Sequence, residues 1–277
     1  MLGAIIGDMV GSLYEFHPIK TKDFEIYNEK MRMTDDSLLT IAIAKVLINH
    51  YPINYSEESL KQIQNEICEE FVDTWKHNRG AGFGGMFYHW CIKMANTHTF
   101  EPYNSYGNGS AMRISSVGWL ANNEEELKLL SKTVTEITHN HPEGLKGARA
   151  TVHAMFLARE KKDLQEIKKI IKDNYYPEMG KNFTLDNIRE KYYFNETCQG
   201  SVPQAIEAFI ESTSFEDAIR NAISIGGDSD TIACITGAIA EAYYGVPQDL
   251  KNKAMTYLDD NLISIINNFE KLKAERL

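Results

Sequence analysis

The sequence predicts an all-α fold, and three observations support this. Nearly every segment long enough to assess has apolar residues at helical spacing, and no segment alternates polar and apolar residues for long enough to indicate a strand. Helix start and stop signals separate these segments. Pro203 suits a first helical turn, Ser214 precedes acidic residues, and Gly226-Gly227 provides a stop.

The first helix is predicted at the very start of the sequence. Gly3, Gly7 and Gly11 recur every four residues and form a stripe on one side of it. Absent side chains along such a stripe let a neighbouring helix come close. Bulky residues such as Ile5 and Ile6 fill the other positions, which argues against a flexible glycine-rich start. We therefore expect a central, buried first helix.

The later helices follow from the same periodicity, and no internal repeat interrupts them. The most polar part of the chain is 161–193, which we interpret as a peripheral excursion on one domain rather than a linker. A single domain is therefore expected over residues 1–277. The helices are predicted at 37–49, 56–76, 111–120, 124–137, 145–160, 164–174, 203–212, 215–225, 231–244 and 249–273.

Composition limits the classes of partner. The chain has 277 residues, 43% of them hydrophobic and 25% charged, which is typical of a globular protein with a sizeable core. With 29 Lys and Arg against 39 Asp and Glu, the formal net charge is -10. A broad cationic face for unmodified nucleic acid is therefore not expected, and partners should be small or metal-assisted.

Cysteine spacing and hydropathy indicate a cytoplasmic protein without a membrane span. Cys68, Cys91, Cys198 and Cys234 are too far apart for a paired metal or redox motif, so we expect reduced core thiols. The start of the sequence lacks the basic region of a cleaved signal. The best apolar run, 231–244, is shorter than the roughly twenty residues that a membrane span needs.

Two short acidic clusters each stand where a helix begins, at Thr34-Asp35-Asp36 and at Asp228-Ser229-Asp230-Thr231. For either cluster alone, helix capping is the favoured interpretation, because Asp, Ser and Thr are preferred N-cap residues. Each cluster nevertheless supplies two acids and a hydroxyl, and this surplus charge would repel itself if the clusters met. Divalent cations such as Mg²⁺ would resolve the conflict, as a pair roughly 3.5–4 Å apart. Spacing alone leaves open whether the clusters converge.

Three other motif interpretations compete with this one. Asp228-Ser229-Asp230-Thr231 fits the D-x-D-x-T string of phosphotransferases, but that string should end a strand in an α/β domain. An EF-hand fails, because Ile232 and Ala233 occupy ligand and turn positions. His139-Asn140-His141 could supply two metal ligands, although a structural or substrate-contacting histidine is favoured.

Two glycine-rich stretches precede helices, at 79–85 and at 105–109. Bare backbone N–H groups at such junctions can face an anion, as in phosphate-binding loops. Neither stretch matches a Walker A motif or a Rossmann fingerprint. Taken singly, each is equally well explained as an ordinary glycine-rich turn.

Together these motifs resemble the ADP-ribosylglycohydrolase family, which includes dinitrogenase reductase-activating glycohydrolases and hydrolases that remove ADP-ribose from serine. The ordered set spans most of the chain and is specific; the likeness is poorest over 161–193. Ser229 departs from the family's usual Asp-Thr-Asp-Thr, at a position not expected to hold metal. The matching segments are Gly7-Asp8 with Gly11 and Glu15, Thr34-Asp35-Asp36, 79–84, 105–113, Thr138-His139, 226–231, 237–240 and 243–245.

The resemblance implies a compact orthogonal all-α bundle with a central cleft and two Mg²⁺ ions, or Mn²⁺ in some members, at its base. It makes Glu15 a mobile carboxylate that can ligate one ion and serve as the general acid/base. Asp36 is a second catalytic candidate. The implied metal ligands are Glu15, Thr34, Asp35, Asp36, Asp228, Asp230 and Thr231.

The same resemblance implies how substrate is held. Phe100 and Tyr106 are expected to sandwich the adenine, and His139 to reach the distal ribose, although Phe100 could equally be a core aromatic. The diphosphate and ribose path is expected along Gly80, Gly82, Gly84, Ser105, Gly107 and Asn108.

The activity implied is hydrolysis of the glycosidic bond between ADP-ribose and a modified protein or small conjugate, by a monomer. The residues in the glycine-rich and acidic motifs favour an O-linked, serine-type bond. An arginine-linked bond is the alternative within the same class. A different class is a non-catalytic ADP-ribose-binding or immunity protein, although the intact ligand set favours catalysis.

Overall fold

Helices dominate the computed structural model, which describes residues 1–275. That part of the chain contains fifteen helices and no strand; its one β-type pairing is an isolated bridge between Gly107 and Thr197. The all-α prediction is confirmed. In chain order the helices are α1 (Leu2–Gly11), α2 (Asp35–Asn49), α3 (Glu57–His77), α4 (Gly85–Thr97), α5 (Gly109–Met112), α6 (Ser115–Leu120), α7 (Glu124–Thr135), α8 (Pro142–Arg159), α9 (Leu164–Asn174), α10 (Leu185–Lys191), α11 (Cys198–Ile210), α12 (Phe215–Ser224), α13 (Ser229–Tyr244), α14 (Gln248–Met255) and α15 (Asp260–Ala274).

The glycine stripe of α1 lies directly against α13, as the prediction of a close helix neighbour required. A Cβ on Gly3 would stand 2.3 Å from the carbonyl oxygen of Gly237, and one on Gly7 would stand 2.0 Å from that of Ala233. A Cβ on Gly11 would meet the Cα of Asp230 at 2.5 Å. No side chain fits at these positions, so the two backbones touch along the whole length of α1. Every residue of α1 is buried.

Helix α13 is the centre around which the other helices pack. Besides α1, it is contacted by α8, α11 and α12, and by the short α5 and the start of α2. Outer helices cover these in turn: α3 and α15 pack on α2, and α7 packs on α8. One continuous cluster of buried apolar side chains joins the layers. The N-terminal ends of α2 and α13 are thereby held near each other.

Two predicted helices are each divided in two. The segment 111–120 breaks after Met112, because the backbone of Arg113 and Ile114 leaves the helix before α6 begins at Ser115. The segment 249–273 breaks before Asp259, whose carboxylate caps the start of α15 by accepting from Leu262 N–H at 2.9 Å. Periodicity did not reveal either break, because the apolar spacing continues through both.

The prediction that Pro203 starts a helix is wrong. Helix α11 begins at Cys198, where the Thr197 hydroxyl accepts from Gly200 N–H, and Pro203 lies inside the helix. Helix α10 was not predicted. It lies with α9 in the polar stretch 161–193, which packs on α8 and α11 and also buries Tyr176 and Met179.

The cysteines and the helix lengths bear on two further expectations. All four cysteines are buried free thiols, as predicted. Within the described range 1–275, no helix combines the length and apolarity that crossing a bilayer requires.

Candidate active site and metal centre

The N-terminus of α2 presents two carboxylates that its own capping does not use. The Thr34 hydroxyl caps the helix by accepting from Asp36 N–H at 3.2 Å. Asp35 N–H donates to the Ala81 carbonyl at 3.0 Å, which attaches the glycine-rich loop to this helix end. A Cβ on Gly82 would lie 3.4 Å from Asp35 Oδ1. Capping therefore accounts for Thr34 but not for Asp35 or Asp36.

The N-terminus of α13 is arranged differently. Gly226 and Gly227 have φ of 75° and 82°, a left-handed conformation that glycine adopts without strain, and they turn the chain into Asp228. Asp228 is the N-cap residue, yet its side chain makes no capping hydrogen bond. Its Oδ2 instead accepts from Asn108 Nδ2 at 2.6 Å. This carboxylate therefore faces the loop that precedes α5 rather than its own helix.

The two helix ends converge. Thr231 Oγ1 donates to Asp36 Oδ2 at 3.3 Å, across 195 residues of sequence. Asp8, from α1, lies between them and accepts from both the N–H and the hydroxyl of Thr34. Glu15, which follows α1, is half-buried beside Asp230. The convergence that spacing alone left open is present.

These carboxylates form two groups that share one member. Oxygens of Asp8, Asp36 and Asp230 lie within 4.8 Å of one another, as do oxygens of Glu15, Asp228 and Asp230. Two overlapping groups with Asp230 in common are the arrangement that a pair of neighbouring divalent ions would need.

Burial and mutual repulsion make the cluster electrostatically costly without a cation. Burial, and then the charge of Asp230, raise the pKa of Asp8 and of Glu15 to about 7 and that of Asp35 to about 8. The same causes raise the pKa of Asp36 and of Asp228 well above the ordinary range. Arg113 is the only lysine or arginine among the described residues that line the adjoining cavity.

The donor set fits hard divalent cations. Asp36 Oδ1 is buried and has no hydrogen-bond partner among residues 1–275. A buried, unsatisfied carboxylate oxygen is unfavourable unless something positive approaches it. Every donor in the cluster is an oxygen, which suits Mg²⁺ or Mn²⁺ rather than softer ions. The protein groups present therefore fit the metal centre that the resemblance implied.

A cavity of about 350 Å³ opens over the acidic cluster. Glycine-rich residues and the loop before α5 form one wall, and Tyr106 and Phe194 stand exposed at it. The predicted site residues that line the cavity are Glu15, Asp35, Asp36, Gly82, Gly84, Ser105, Tyr106, Gly107, Asn108, His139, Asp228, Asp230 and Thr231.

Three predicted site residues do not line this cavity. Thr34 is buried behind the acidic cluster, bound to Asp8. Gly80 lies away from the cavity, in open surroundings. Phe100 lines a different cavity, of about 260 Å³, beside α3. The structure therefore does not bring Phe100 to Tyr106. Phe87, Tyr103 and Phe194 line the cavity besides Tyr106, and of these three only Phe194 is exposed.

Sequence reasoning missed Asp8, Arg113 and Phe194 as site residues. Asp8 carried a usable signal, because it is the single charged residue in an otherwise apolar first helix. A charge in such a helix is unfavourable unless it is paired or functional. Phe194 ends the run Tyr192-Tyr193-Phe194, but that run gave no indication of a site, because only the tertiary fold brings Phe194 to the cavity.

The two histidines after Thr138 have separate environments. His141 caps α8, because its Nδ1 accepts from Glu143 N–H at 3.1 Å, and its ring lies against Tyr106. His139 is buried next to Arg113 and Thr138. Burial, and then the charge of Arg113, lower the pKa of His139 well below its usual range. The structure does not bring the two imidazoles together as ligands of one ion.

Comparison with known proteins agrees with this geometry. A family model described as ADP-ribosylglycohydrolase matches residues 1–275. The chain belongs to this family. Membership of this family identifies the protein as a hydrolase that acts on glycosidic bonds of ADP-ribose. The D-x-D-x-T interpretation is disfavoured, because Asp228 begins a helix instead of ending a strand.

Individual relatives are distant but cover most of the chain. ADP-ribosylhydrolase ARH3 of Xenopus tropicalis is 25% identical, over 94% of this chain and 91% of its own length. The human ARH3 is 24% identical, over 90% and 85%. ADP-ribosylarginine hydrolase Tri1 of Pseudomonas putida (strain GB-1) is also 24% identical, over 89% and 70%. A solved structure described as an ADP-ribosylglycohydrolase-related protein complex shares the fold, with a TM-score of 0.69, 17% identity and coverage of 98% of this chain and 95% of its own.

Proposed function

We propose that this member of the ADP-ribosylglycohydrolase family is a Mg²⁺-dependent hydrolase that releases ADP-ribose from a modified protein or small conjugate. The observation that carries the proposal is the contact of Thr231 with Asp36, because it brings the two acidic helix ends to the base of one cavity. Capping alone does not explain that contact. The cavity volume of about 350 Å³ suits a small ligand rather than an extended polymer.

Two cations are proposed at the shared carboxylates. Asp8 lies behind Thr34 and orients this helix end. Bound Mg²⁺ would fix ribose hydroxyls and activate water for attack. It would also neutralise the cluster locally and so admit a dianionic diphosphate to a protein of net charge -10. The predicted ligands that line the cavity are proposed to hold the ions: Glu15, Asp35, Asp36, Asp228, Asp230 and Thr231. The predicted ligand Thr34 is instead bound to Asp8 behind them.

Glu15 is proposed as the general acid/base. It lines the cavity and is half-buried, whereas Asp36, which also lines the cavity, is only 2% exposed. A carboxylate at this position can accept a proton from water and return it to a leaving group. Cleavage at the anomeric carbon develops oxocarbenium character, so a proton must reach the leaving oxygen or leave the attacking water. Asp36 is kept as the weaker catalytic candidate.

The remaining cavity wall is proposed to bind the rest of ADP-ribose. Backbone N–H groups at Gly82 and Gly84 and the loop of Ser105, Gly107 and Asn108 can face the diphosphate and ribose. Tyr106 offers an exposed aromatic face for adenine, and Phe194, which is also exposed on the cavity lining, is proposed as the second aromatic contact in place of Phe100.

A serine-type, O-glycosidic bond is the favoured substrate. The support is the residue sequence of two motifs, which resembles that of the serine-type hydrolases. These motifs are Ser105-Tyr106-Gly107-Asn108-Gly109 and the two glycines before Asp228. The arginine-linked bond is the second candidate, because Tri1, a relative named as an ADP-ribosylarginine hydrolase, is 24% identical, the same value as human ARH3. We propose a monomer in the cytoplasm, where buried free thiols such as Cys68 stay reduced.

A panel of defined substrates tests the proposal. The full chain is incubated with serine-linked and arginine-linked ADP-ribosyl peptides, each with Mg²⁺ and with EDTA, and released ADP-ribose is measured. Release from the serine peptide that requires Mg²⁺ is expected. Release of ADP-ribose from the arginine-linked peptide alone would show that the enzyme hydrolyses the arginine linkage instead of the serine linkage. Calorimetric binding of ADP-ribose without release from either peptide would instead support the non-catalytic binder.

A further inference from the structure

Arg113 is a fully buried cation without a carboxylate partner among the described residues. Its guanidinium lies 4.7 Å from the ring centre of Phe71 and 5.9 Å from that of Phe87. Its one close hydrogen bond runs to Thr138 Oγ1 at 2.5 Å, and its Nε has no partner in residues 1–275. Burying an arginine in this way is unfavourable unless it serves a purpose.

The neighbour of this cation is the imidazole of His139. Thr138 Oγ1 lies 2.8 Å from His139 Nδ1, and an Arg113 nitrogen lies 3.4 Å from the same atom. A guanidinium only donates hydrogen bonds and does not lose its proton in proteins. An N–H on Nδ1 would therefore face another N–H. With the lone pair on Nδ1, the imidazole accepts from Arg113 and from the Thr138 hydroxyl, and its proton resides on Nε2.

Nε2 is directed at the loop that forms the cavity wall. A Cβ on Gly109 would lie 3.4 Å from Nε2, and one on Gly107 would lie 3.7 Å from it. No group in residues 1–275 hydrogen-bonds to Nε2, although His139 lines the cavity. The absence of side chains at both glycines leaves room for a ligand atom beside this nitrogen.

We propose that Arg113 and Thr138 are positioning residues that fix His139 as a neutral imidazole with its proton on Nε2. His139 then presents one hydrogen-bond donor to the cavity and selects an acceptor oxygen, a hydroxyl or a phosphate oxygen, at that point of the ligand. That the ligand is ADP-ribose rests on the proposed function. His139 is thereby excluded as a proton acceptor through Nδ1. Metal binding through Nε2 is excluded as well, because it would require the proton to move to Nδ1, towards Arg113.

The charged and titratable groups around His139 agree with this assignment. Tyr103 lies 5.9 Å away, ring centre to ring centre, and burial raises the pKa of its hydroxyl to about 12, so it stays neutral. Arg113 is the cation in direct contact. Burial and this cation lower the pKa of His139. The imidazole of His139 is therefore neutral, because its neighbours are a cation, Arg113, and an uncharged phenol, Tyr103.

The tautomer is read directly by long-range ¹H–¹⁵N spectra of the ¹⁵N-labelled full chain in EDTA, with the His139 signals identified by their loss in His139→Gln. An unprotonated Nδ1 and a protonated Nε2 are expected. In Thr138→Val the preference should weaken, and calorimetric affinity for ADP-ribose should fall roughly 10-fold. Thr138→Ser, which restores the hydroxyl, should recover both within about twofold.

A proton on Nδ1 in the wild-type chain would overturn the proposal. An unchanged tautomer and unchanged affinity in Thr138→Val would do the same. Should Thr138→Val fail to fold, Arg113→Lys replaces it, because lysine keeps the charge but loses the planar fork that reaches Thr138. If wild-type protein binds no ADP-ribose, the proposed function fails, whereas the spectra still decide the state of His139.

Discussion

Asp8 accepts hydrogen bonds from both the backbone N–H and the hydroxyl of Thr34, at 2.9 and 2.7 Å. Ser37 donates its N–H at 3.1 Å, and its hydroxyl, to the same carboxylate. One side chain of α1 thus holds the first turn of α2. Because α1 lies in backbone contact with α13, this carboxylate determines where Asp36 stands relative to Asp230.

Asp8→Ala should therefore lower both stability and metal affinity. The four donors on Thr34 and Ser37 would lose their acceptor inside the protein. Each buried donor left unsatisfied costs about 1–3 kcal/mol, so a loss of about 2 kcal/mol or more is expected by urea denaturation at pH 5, where Asp8 is protonated and its removal relieves no repulsion from Asp230. Asp8→Asn retains one acceptor oxygen and should lose less. Equal stability of Asp8→Ala and wild type would show that Asp8 does not hold this helix end.

Gly7→Ala should prevent α1 from docking on α13. The new Cβ would stand 2.0 Å from the Ala233 carbonyl oxygen, and backbone on both sides leaves it no room. A loss of about 3 kcal/mol or more, or failure to fold, is expected, measured by denaturation and circular dichroism. Gly180→Ala is the matched control, because the nearest atom to its Cβ would be 4.0 Å away. Wild-type stability in Gly7→Ala would contradict the close helix contact.

Glu241 gives a second stability prediction. Its carboxylate, buried in α13, accepts from the Met1 ammonium at 2.6 Å, Gly3 N–H at 2.8 Å and Lys273 at 2.7 Å. Despite burial, the two cations lower the pKa of Glu241 to about 2. Its contribution is therefore present above the unfolded value of 4.5 and is lost as the pH falls from there towards 2.

Glu241→Gln should cost about 3–5 kcal/mol at neutral pH, because it leaves the Met1 ammonium buried without a counter-charge. The deficit relative to wild type should shrink below about pH 4, where wild-type Glu241 becomes protonated on unfolding. Lys273→Met, which removes only one of the two cations, should cost less. A deficit independent of pH would contradict the ion-pair account.

Local patterns predicted the helices but not their contacts, and the glycine stripe is the instructive exception. The lack of side chains at Gly3, Gly7 and Gly11 predicts that another helix packs closely against this side of α1. The structure identifies that helix as α13. Helix ends were less reliable. Thr197 is an ordinary N-cap residue, yet Pro203 appeared the stronger start signal. The competing local signals could be separated only by the packing of α11.

The site was predictable where a motif supplied both residue type and position. Capping was the favoured interpretation of each acidic cluster alone, and only the contact of Thr231 with Asp36 removes that ambiguity. Phe100 and Phe194 show the opposite case. Phe100 follows polar residues and Phe194 ends the aromatic run Tyr192-Tyr193-Phe194, but nothing local indicates which of the two reaches the cavity. That depends on the path of the chain between α10 and α11.

The metal-free protein should become less stable as the pH rises. The folded-state pKa values of Asp8 and Glu15, about 7, and of Asp35, about 8, exceed the unfolded values of 3.8 to 4.5, because burial and then the charge of Asp230 favour the protonated forms. Their stabilising contribution is complete below about pH 4 and is lost as the pH rises through 7 and 8. This window does not overlap that of Glu241.

In EDTA, the melting temperature is therefore expected to fall by about 5 °C or more between pH 5 and pH 8. Added Mg²⁺ competes with protons for the same oxygens, so it should raise the melting temperature more at pH 8 than at pH 5. Differential scanning calorimetry at several pH values checks both. A metal-free melting temperature that stays constant over this range would contradict the repulsion proposed for the cluster.

Asp230→Asn separates a metal ligand from a helix cap, because the two roles predict opposite changes in stability. Asp230 belongs to both carboxylate groups, and its charge raises the pKa of its neighbours. If it serves the cations, Asn should abolish Mg²⁺-dependent release of ADP-ribose while stabilising the metal-free protein at pH 8, by relieving repulsion. If it serves only the helix, Asn should leave release intact and lower stability by about 0.3–1 kcal/mol. Asp260→Asn, in the exposed first turn of α15, provides the control for that helix effect. If Asp230→Asn still releases ADP-ribose and loses about as much stability as Asp260→Asn, then Asp230 serves only to stabilise its helix and is not a metal ligand.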